Sequence, residues 1–304
     1  MMKMLAVFIF VLFYSIVARA ENIIGVEFND SSAKENTYSR DYEFKIEGKF
    51  SEKFTLKHGQ CGYSKASRQD DCLRDRGRIE RIGDWKRGNE HWYKFSFYVD
   101  ETWPTELEYK TVIIQSKVKG ATDPTWVLQL EHGNLVLSFN QIKQHCKIMD
   151  YNDIANRWVN VTLYTNLADK HTKWFKNEKK KAQIWIDGTP KKAFCGYSES
   201  GLVPDKLKTK NFKKYGQSIR YGIYHSYVSR DLYRLNPNIT LPGWKDTHSD
   251  VGSSIESMTN DPWSIDWEIL YPTKNIWWDD MQHSTAKNPW DMNLSEIDNI
   301  HSYE

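Results

Sequence analysis

Apolar and polar side chains alternate at every second residue in segment after segment of this chain, and that period constrains its fold more than any other feature. The pattern is clearest over residues 91–99, 126–130, 134–139 and 158–164. A strand presents successive side chains to opposite faces, so each segment reads as a half-buried strand. His132-Gly133, between two of these runs, predicts a tight hairpin. Asp187-Gly188, following 182–186, predicts a turn whose second residue adopts positive φ. Long amphipathic helices are absent from the pattern. A chain with this many strands must protect its sheet edges, and packing two antiparallel sheets face to face does so economically. The expected fold is all-β: a concanavalin-like β-jelly-roll sandwich.

The N-terminus reads as an export signal. Lys3 precedes an apolar run over 5–17, and Ala18-Arg19-Ala20 has the small-x-small form of a signal-peptidase site. Residues 1–20 are therefore assigned to a signal peptide, 21–284 to a single domain and 285–304 to a C-terminal tail. The expected location is periplasmic or secreted, with no membrane span after cleavage. Export favours disulfides among Cys61, Cys72, Cys146 and Cys195. The pairing favoured is Cys61 with Cys72 and Cys146 with Cys195. A zinc site is the rival, but neither a C-x-x-C spacing nor a matching histidine pair occurs.

Charge is distributed unevenly. Residues 169–220 hold 14 Lys/Arg against 5 Asp/Glu, whereas 221–304 hold 5 against 13. Such asymmetry builds local fields that a near-neutral total conceals. In an exported protein the basic segment, which includes Lys213 and Lys214, points to an anionic polysaccharide; export and overall neutrality argue against nucleic acid.

Candidate chemistry comes from strand parity. In Arg220-Tyr221-Gly222-Ile223-Tyr224, Arg220, Gly222 and Tyr224 share a face. A cation and a phenol there flank a gap that only glycine leaves open, which suits an acidic sugar ring lying against the sheet. Arg78 with Glu80, and Gln115 with Lys117, repeat the i, i+2 spacing. Each pair taken alone also fits the polar outer face of a half-buried strand.

These motifs resemble a known group. The segment from Lys57-His58-Gly59-Gln60-Cys61 through Arg76-Gly77-Arg78-Ile79-Glu80, followed by 92–99, resembles the heparin-lyase-I-like polysaccharide lyases. That group takes in glucuronan lyases and shares its jelly roll with alginate lyases. Gln115-Ser116-Lys117 stands where such lyases carry Gln-x-His, and Arg157-Trp158-Val159 resembles their Lys-Trp-His. Residues 182–188 resemble the "vWvDG" hairpin, Arg220 to Tyr224 resembles Lys-Phe/Tyr-Gly-Ile-Tyr, and 276–281 resembles the closing strand. The likeness spans about residues 57–282. Lys117 in place of histidine and Arg220 in place of lysine depart from it.

The resemblance implies β-elimination on a 1,4-linked uronic-acid polymer. The substrate carboxylate must be neutralised, the C5 proton removed and the leaving O4 protonated, and stabilising the developing charge is the largest contribution. Gln115, Arg78 and Arg220 are the candidates for the carboxylate. Tyr224 matches the family's tyrosine and serves as acid, or as base if nearby cations lower its pKa. Lys117 acts as a base only if its pKa is depressed; otherwise it pairs with an anionic group of the polymer. His58 is the first choice to replace the missing histidine, ahead of His225, which parity turns to the opposite face, and His91. Glu80 is expected to orient Arg78. Trp126, Trp103 and Trp174 are candidate stacking platforms, although most of the thirteen tryptophans must be core.

No cofactor is implied, and calcium dependence is left open because no acidic loop motif is recognisable. The alternative reading is a non-catalytic, lectin-like protein on the same fold, consistent with the departures at Lys117 and Arg220. A retaining glycoside hydrolase needs two close carboxylates. Asp266 and Glu268 are the only local pair and lack that motif's third acid.

Overall fold

The structure is a computed structural model that describes residues 37–57, 63–64, 69–70, 76–88, 90–101, 103, 110–118, 124–139, 144–166, 182–191, 216–226, 273–286 and 289–290. The signal segment 1–20, His58, Cys61, Cys72, Trp174, Cys195, Lys213, Lys214, Asp266 and Glu268 lie outside the described residues.

Fifteen strands are described: β1 (Tyr38–Asp41), β2 (Ser51–Leu56), β3 (Tyr63–Ser64), β4 (Gln69–Asp70), β5 (Arg76–Ile82), β6 (Glu90–Val99), β7 (Thr111–Val118), β8 (Trp126–Glu131), β9 (Asn134–Phe139), β10 (Gln144–Asp150), β11 (Trp158–Asn166), β12 (Ala182–Ile186), β13 (Thr189–Lys191), β14 (Gln217–Ser226) and β15 (Lys274–Ser284). One 3-10 turn (Tyr151–Asp153) is the sole helical element among the described residues. A seven-stranded sheet runs β1-β2-β15-β6-β11-β12-β13 and a six-stranded sheet runs β10-β9-β8-β7-β14-β5, while β3 and β4 form a small ribbon. All strand pairings are antiparallel. The molecule is the β-jelly-roll sandwich that the alternation predicts.

The predicted strands fall inside β6, β8, β9, β11 and β12, and both turns have the expected conformation. His132 and Gly133 have φ of 49° and 68°, and Asp187 and Gly188 have 52° and 74°. Two consecutive positive φ values match the right-handed twist of a hairpin. The Asp187 carboxylate fixes its turn by accepting from the Asn160 amide at 3.0 Å and from Arg157 Nη1 at 2.8 Å.

A single core cluster fills the space between the sheets. Phe54, Phe95, Phe97, Val161, Ile184 and Trp278 of one sheet meet Ile79, Ile114, Leu128, Leu137, Tyr221 and Ile223 of the other. Trp126 and Trp103 belong to this core, which corrects their assignment as sugar platforms. Trp126 is 0% exposed and packs edge-on against Tyr93 at 5.0 Å. It shares its face of β8 with Leu128 and Leu130, both in the core, so strand parity itself turns it inward. Trp103 is buried beneath the Lys274 ammonium, 5.5 Å from its ring centroid. Cys146 is fully buried and carries no free thiol.

The outer face of the seven-stranded sheet carries a second aromatic cluster. Trp92, Tyr164 and Trp185 are buried there under Trp290, whose ring meets Trp92 edge-on at 6.3 Å. The segment assigned as a tail therefore folds back at least as far as Trp290. No helix among the described residues is long and apolar enough to cross a membrane.

Candidate active site

Three adjacent strands, β5, β14 and β7, bring the candidate residues together. In the β14–β5 register Tyr224 stands opposite Arg78 and Gly222 opposite Glu80; in the β14–β7 register Arg220 stands opposite Gln115 and Ser218 opposite Lys117. Opposed residues share a face, so Arg78, Glu80, Gln115, Lys117, Arg220 and Tyr224 lie on one face of the six-stranded sheet. It is the outer face, because the alternating partners Ile79, Tyr221, Ile223 and Ile114 point into the core.

The side chains touch in series. Gln115 Nε2 donates to Glu80 Oε1 at 2.5 Å, Glu80 Oε2 lies 3.7 Å from Arg78 Nη1, and the Arg78 guanidinium carbon sits 4.4 Å from the Tyr224 ring centroid. Arg78, Glu80 and Gln115 are buried; Tyr224, Arg220 and Lys117 are half-buried. Glu80 therefore does more than orient Arg78, since one carboxylate holds both the guanidinium and the amide. An amide nitrogen carries two hydrogens, so Gln115 keeps one for a ligand. Arg78, Lys117 and Arg220 against Glu80 leave the cluster net positive.

Lys117 is the outlier in this group. Six residues of β14 separate Tyr224 from Ser218, the partner of Lys117, which is about 20 Å at roughly 3.3 Å per residue. The two side chains cannot reach the same substrate atom. Gln115 spans part of that distance by leaning to Glu80.

Gly222 is what lets β14 and β5 approach. Its φ is +140°, and a Cβ there would lie 2.2 Å from the Ile79 carbonyl oxygen and 3.1 Å from Glu80 Cα. The β14–β7 ladder shifts register between Tyr221 and Tyr224, so the glycine and the irregularity together set how Tyr224 meets Arg78.

A polar node that sequence reasoning missed braces these strands from behind. Glu52 of β2 accepts from the Tyr221 hydroxyl at 2.5 Å, the Tyr38 hydroxyl at 2.6 Å and Arg81 Nη1. Tyr221 and Arg81 alternate with the outward residues, so Glu52 holds β14 and β5 by their inner faces. Burial pushes the Tyr221 phenol well up, which keeps it a hydrogen-bond donor.

Of the histidines expected as substitutes, His58 lies outside the described residues, and His225 and His91 are buried away from this face. His225 points into the core, where burial and the Lys274 charge push its pKa well down. His91 is buried with Nδ1 3.0 Å from His283 Nε2, and desolvation lowers its pKa to about 4. Among the described residues no group of three or more His, Cys, Asp or Glu could hold a metal ion.

A family model described as polysaccharide lyase matches residues 20–249, most of the chain. The chain belongs to the polysaccharide lyases. That match covers β1 to β14, including all six residues of the outer-face cluster, and stops short of β15. Among solved structures the lyase chain is similar to an endo-β-1,4-glucuronan lyase from the fungus Trichoderma reesei, with 15% identity, 83% of this chain and 89% of that one covered, and a TM-score of 0.48. It is also similar to the alginate lyase A1-II', a member of polysaccharide lyase family 7, with 10% identity, coverage of 84% and 92%, and a TM-score of 0.44. A third similarity is to the cellulose-induced protein Cip1, with 10% identity, coverage of 82% and 86%, and a TM-score of 0.43. No curated protein matches this lyase.

Proposed function

We propose that this lyase is exported and cleaves a 1,4-linked, uronic-acid-containing polysaccharide (a glycosaminoglycan, glucuronan or alginate-like polymer) by β-elimination on the outer face of the six-stranded sheet. The observation that carries the reading is the unbroken series Gln115–Glu80–Arg78–Tyr224. Arg78 and the second hydrogen of Gln115 neutralise the sugar carboxylate, making the adjacent C5 proton removable. Tyr224, as phenolate, takes that proton; the C5 electron pair forms the C4–C5 double bond as the C4–O4 bond breaks; the phenol then returns the proton to O4. One group serves both transfers, which suits a face on which Lys117 stands about 20 Å from Tyr224. Arg220 and Lys117 then hold carboxylates of neighbouring sugars. His58, Lys213 and Lys214 complete the proposed contacts, together with disulfides Cys61–Cys72 and Cys146–Cys195.

The test is incubation of the mature protein with heparin, heparan sulfate, glucuronan, alginate and chondroitin sulfate, following the ultraviolet absorbance of the unsaturated product. Absorbance growth with at least one polymer is expected, and its absence from all of them refutes the reading. The lysine in place of the family's histidine favours a second reading, lectin-like binding without cleavage. Measurable polymer affinity with no absorbance change supports that alternative.

A further inference from the structure

A cavity of 340 Å³ lies away from the outer-face cluster, between edge strand β5 of one sheet and β1, β2 and β15 of the other. Its lining sets Arg40, Lys49 and Arg81 against the carboxylates of Glu52, Asp279 and Asp280, and adds the rings of Tyr42 and Phe50. Arg40 is exposed, with its guanidinium carbon 4.4 Å from the Phe50 ring centroid; it hydrogen-bonds Tyr38 and Tyr42 and, although opposite Glu52 in the β1–β2 register, forms no ion pair with a carboxylate among the described residues. Tyr42 is 61% exposed and meets Phe50 edge-on at 5.8 Å.

The lining is preformed. Asp41 Oδ1 accepts the Phe44 and Glu43 amides at 2.9 and 3.2 Å, and Asp279 Oδ2 accepts those of Ile46 and Glu47 at 2.7 and 3.0 Å. These two carboxylates brace the loop that carries Tyr42 and Lys49. The opposite wall contains a bulge in β15 at which Asp280 adopts a φ of +50°. Left-handed backbone at a non-glycine residue, beside a bulge and a cavity, is the kind of local strain that collects at binding sites.

We infer that this cavity is a second, non-catalytic binding site for an anionic sugar residue. The residue classes match the parts of such a ligand: Arg40 for a carboxylate or sulfate, the Tyr42 and Phe50 rings for the apolar face of a pyranose, and the Asp280 carboxylate, held by Lys94 at 2.8 Å and Gln282 Nε2 at 2.5 Å, for hydroxyls through its remaining lone pairs. A bare inorganic anion has no use for the aspartate, and an apolar ligand has none for the cations. The volume sits near the small end of the roughly 300–1,000 Å³ range of ligand pockets and suits about one or two sugar rings. Because Arg81 of β5 lines the cavity while the outer side of that strand carries Arg78 and Glu80, one polymer could engage both places and raise its effective concentration at the cluster. The choice of ligand rests on the polysaccharide reading above; the site itself does not.

The test uses the double variant Arg40→Ala/Tyr42→Ala in the full-length mature protein, with and without Tyr224→Phe to prevent cleavage. Affinity electrophoresis in gels containing glucuronan or heparin reads polymer binding, and initial rates read turnover. Loss of a charge-assisted contact and a ring predicts a rise of about tenfold or more in polymer Kd. KM on polymer should rise while kcat/KM on a trisaccharide stays unchanged. A polymer Kd that moves by less than about twofold in a variant with wild-type melting behaviour overturns the inference. If the wild type cleaves nothing yet binds polymer through Arg40 and Tyr42, the site stands and the lyase reading falls.

Discussion

Replacing Gly222 with alanine probes the outer-face cluster without touching any group assigned to chemistry. The backbone there has φ +140°, and the new methyl would sit 2.2 Å from the Ile79 carbonyl oxygen and 3.1 Å from Phe54 Cδ1. The backbone conformation alone costs on the order of 1–3 kcal/mol for a residue with a Cβ. Relieving the overlap requires β5 to retreat from β14 by about 1 Å, a displacement that can cost roughly a hundredfold in rate when it falls between catalytic groups. A stability loss of about 3 kcal/mol should lower the melting temperature by roughly 6–12 °C in a domain of this size. Gly48→Ala is the control, since its φ is +67° but nothing lies within 4 Å of the added methyl; it should lose only about 1 kcal/mol. Melting by circular dichroism, with rates measured well below the transition, reads both effects. A Gly222→Ala protein that melts within about 2 °C of wild type and cleaves at the wild-type rate refutes the close-approach argument.

Tyr224→Phe should lower the cleavage rate by about a hundredfold to ten-thousandfold with unchanged melting, and a rate within about twofold of wild type removes the phenol from its role. Glu80→Gln keeps the shape but removes the negative charge beside Arg78. It should reduce kcat/KM by about tenfold or more, as judged from initial rates, and a neutral result breaks the proposed series. Glu52→Ala strips three donors of their buried acceptor and should destabilise by about 3–5 kcal/mol in urea titrations; a smaller shift than from Arg81→Ala would contradict the three-way node. His91 has a folded pKa of about 4 against an ordinary 6.5, so between those values the unfolded chain binds the extra proton. Its contribution is fully present above about pH 6.5 and disappears as pH falls toward 4, a loss of about 3 kcal/mol. His225 and His283 are shifted in the same direction. Urea midpoints at pH 7.5, 6 and 5 should therefore fall in that order.

The sheet architecture and the shared face of the cluster were legible because both depend on parity. Alternation over 91–99 and 158–164 marks strands, and Arg78, Gln115, Arg220 and Tyr224 each hold the outward phase of their own strand. What parity cannot give is the pairing between distant strands. The separation of Lys117 from Tyr224 follows from the register of β14 on β7. Likewise, Glu52 meets Tyr221 across 169 residues of chain, and nothing near either residue announces the contact. Trp126 was misassigned on residue type alone, since parity groups it with Leu128 and Leu130, both in the core. The Arg40 cavity was illegible because it forms where a loop, two sheet edges and a bulge converge.

Trp290 gives the C-terminal end a job that its sequence does not advertise. By lying over Trp92, Tyr164 and Trp185 it works as a lid on a greasy seam, far along the chain from the residues it shelters. A protease cutting just after Ser284 would leave β15 whole yet uncover that seam, and the trimmed molecule should become sticky toward its own copies while the outer face of the six-stranded sheet stays intact.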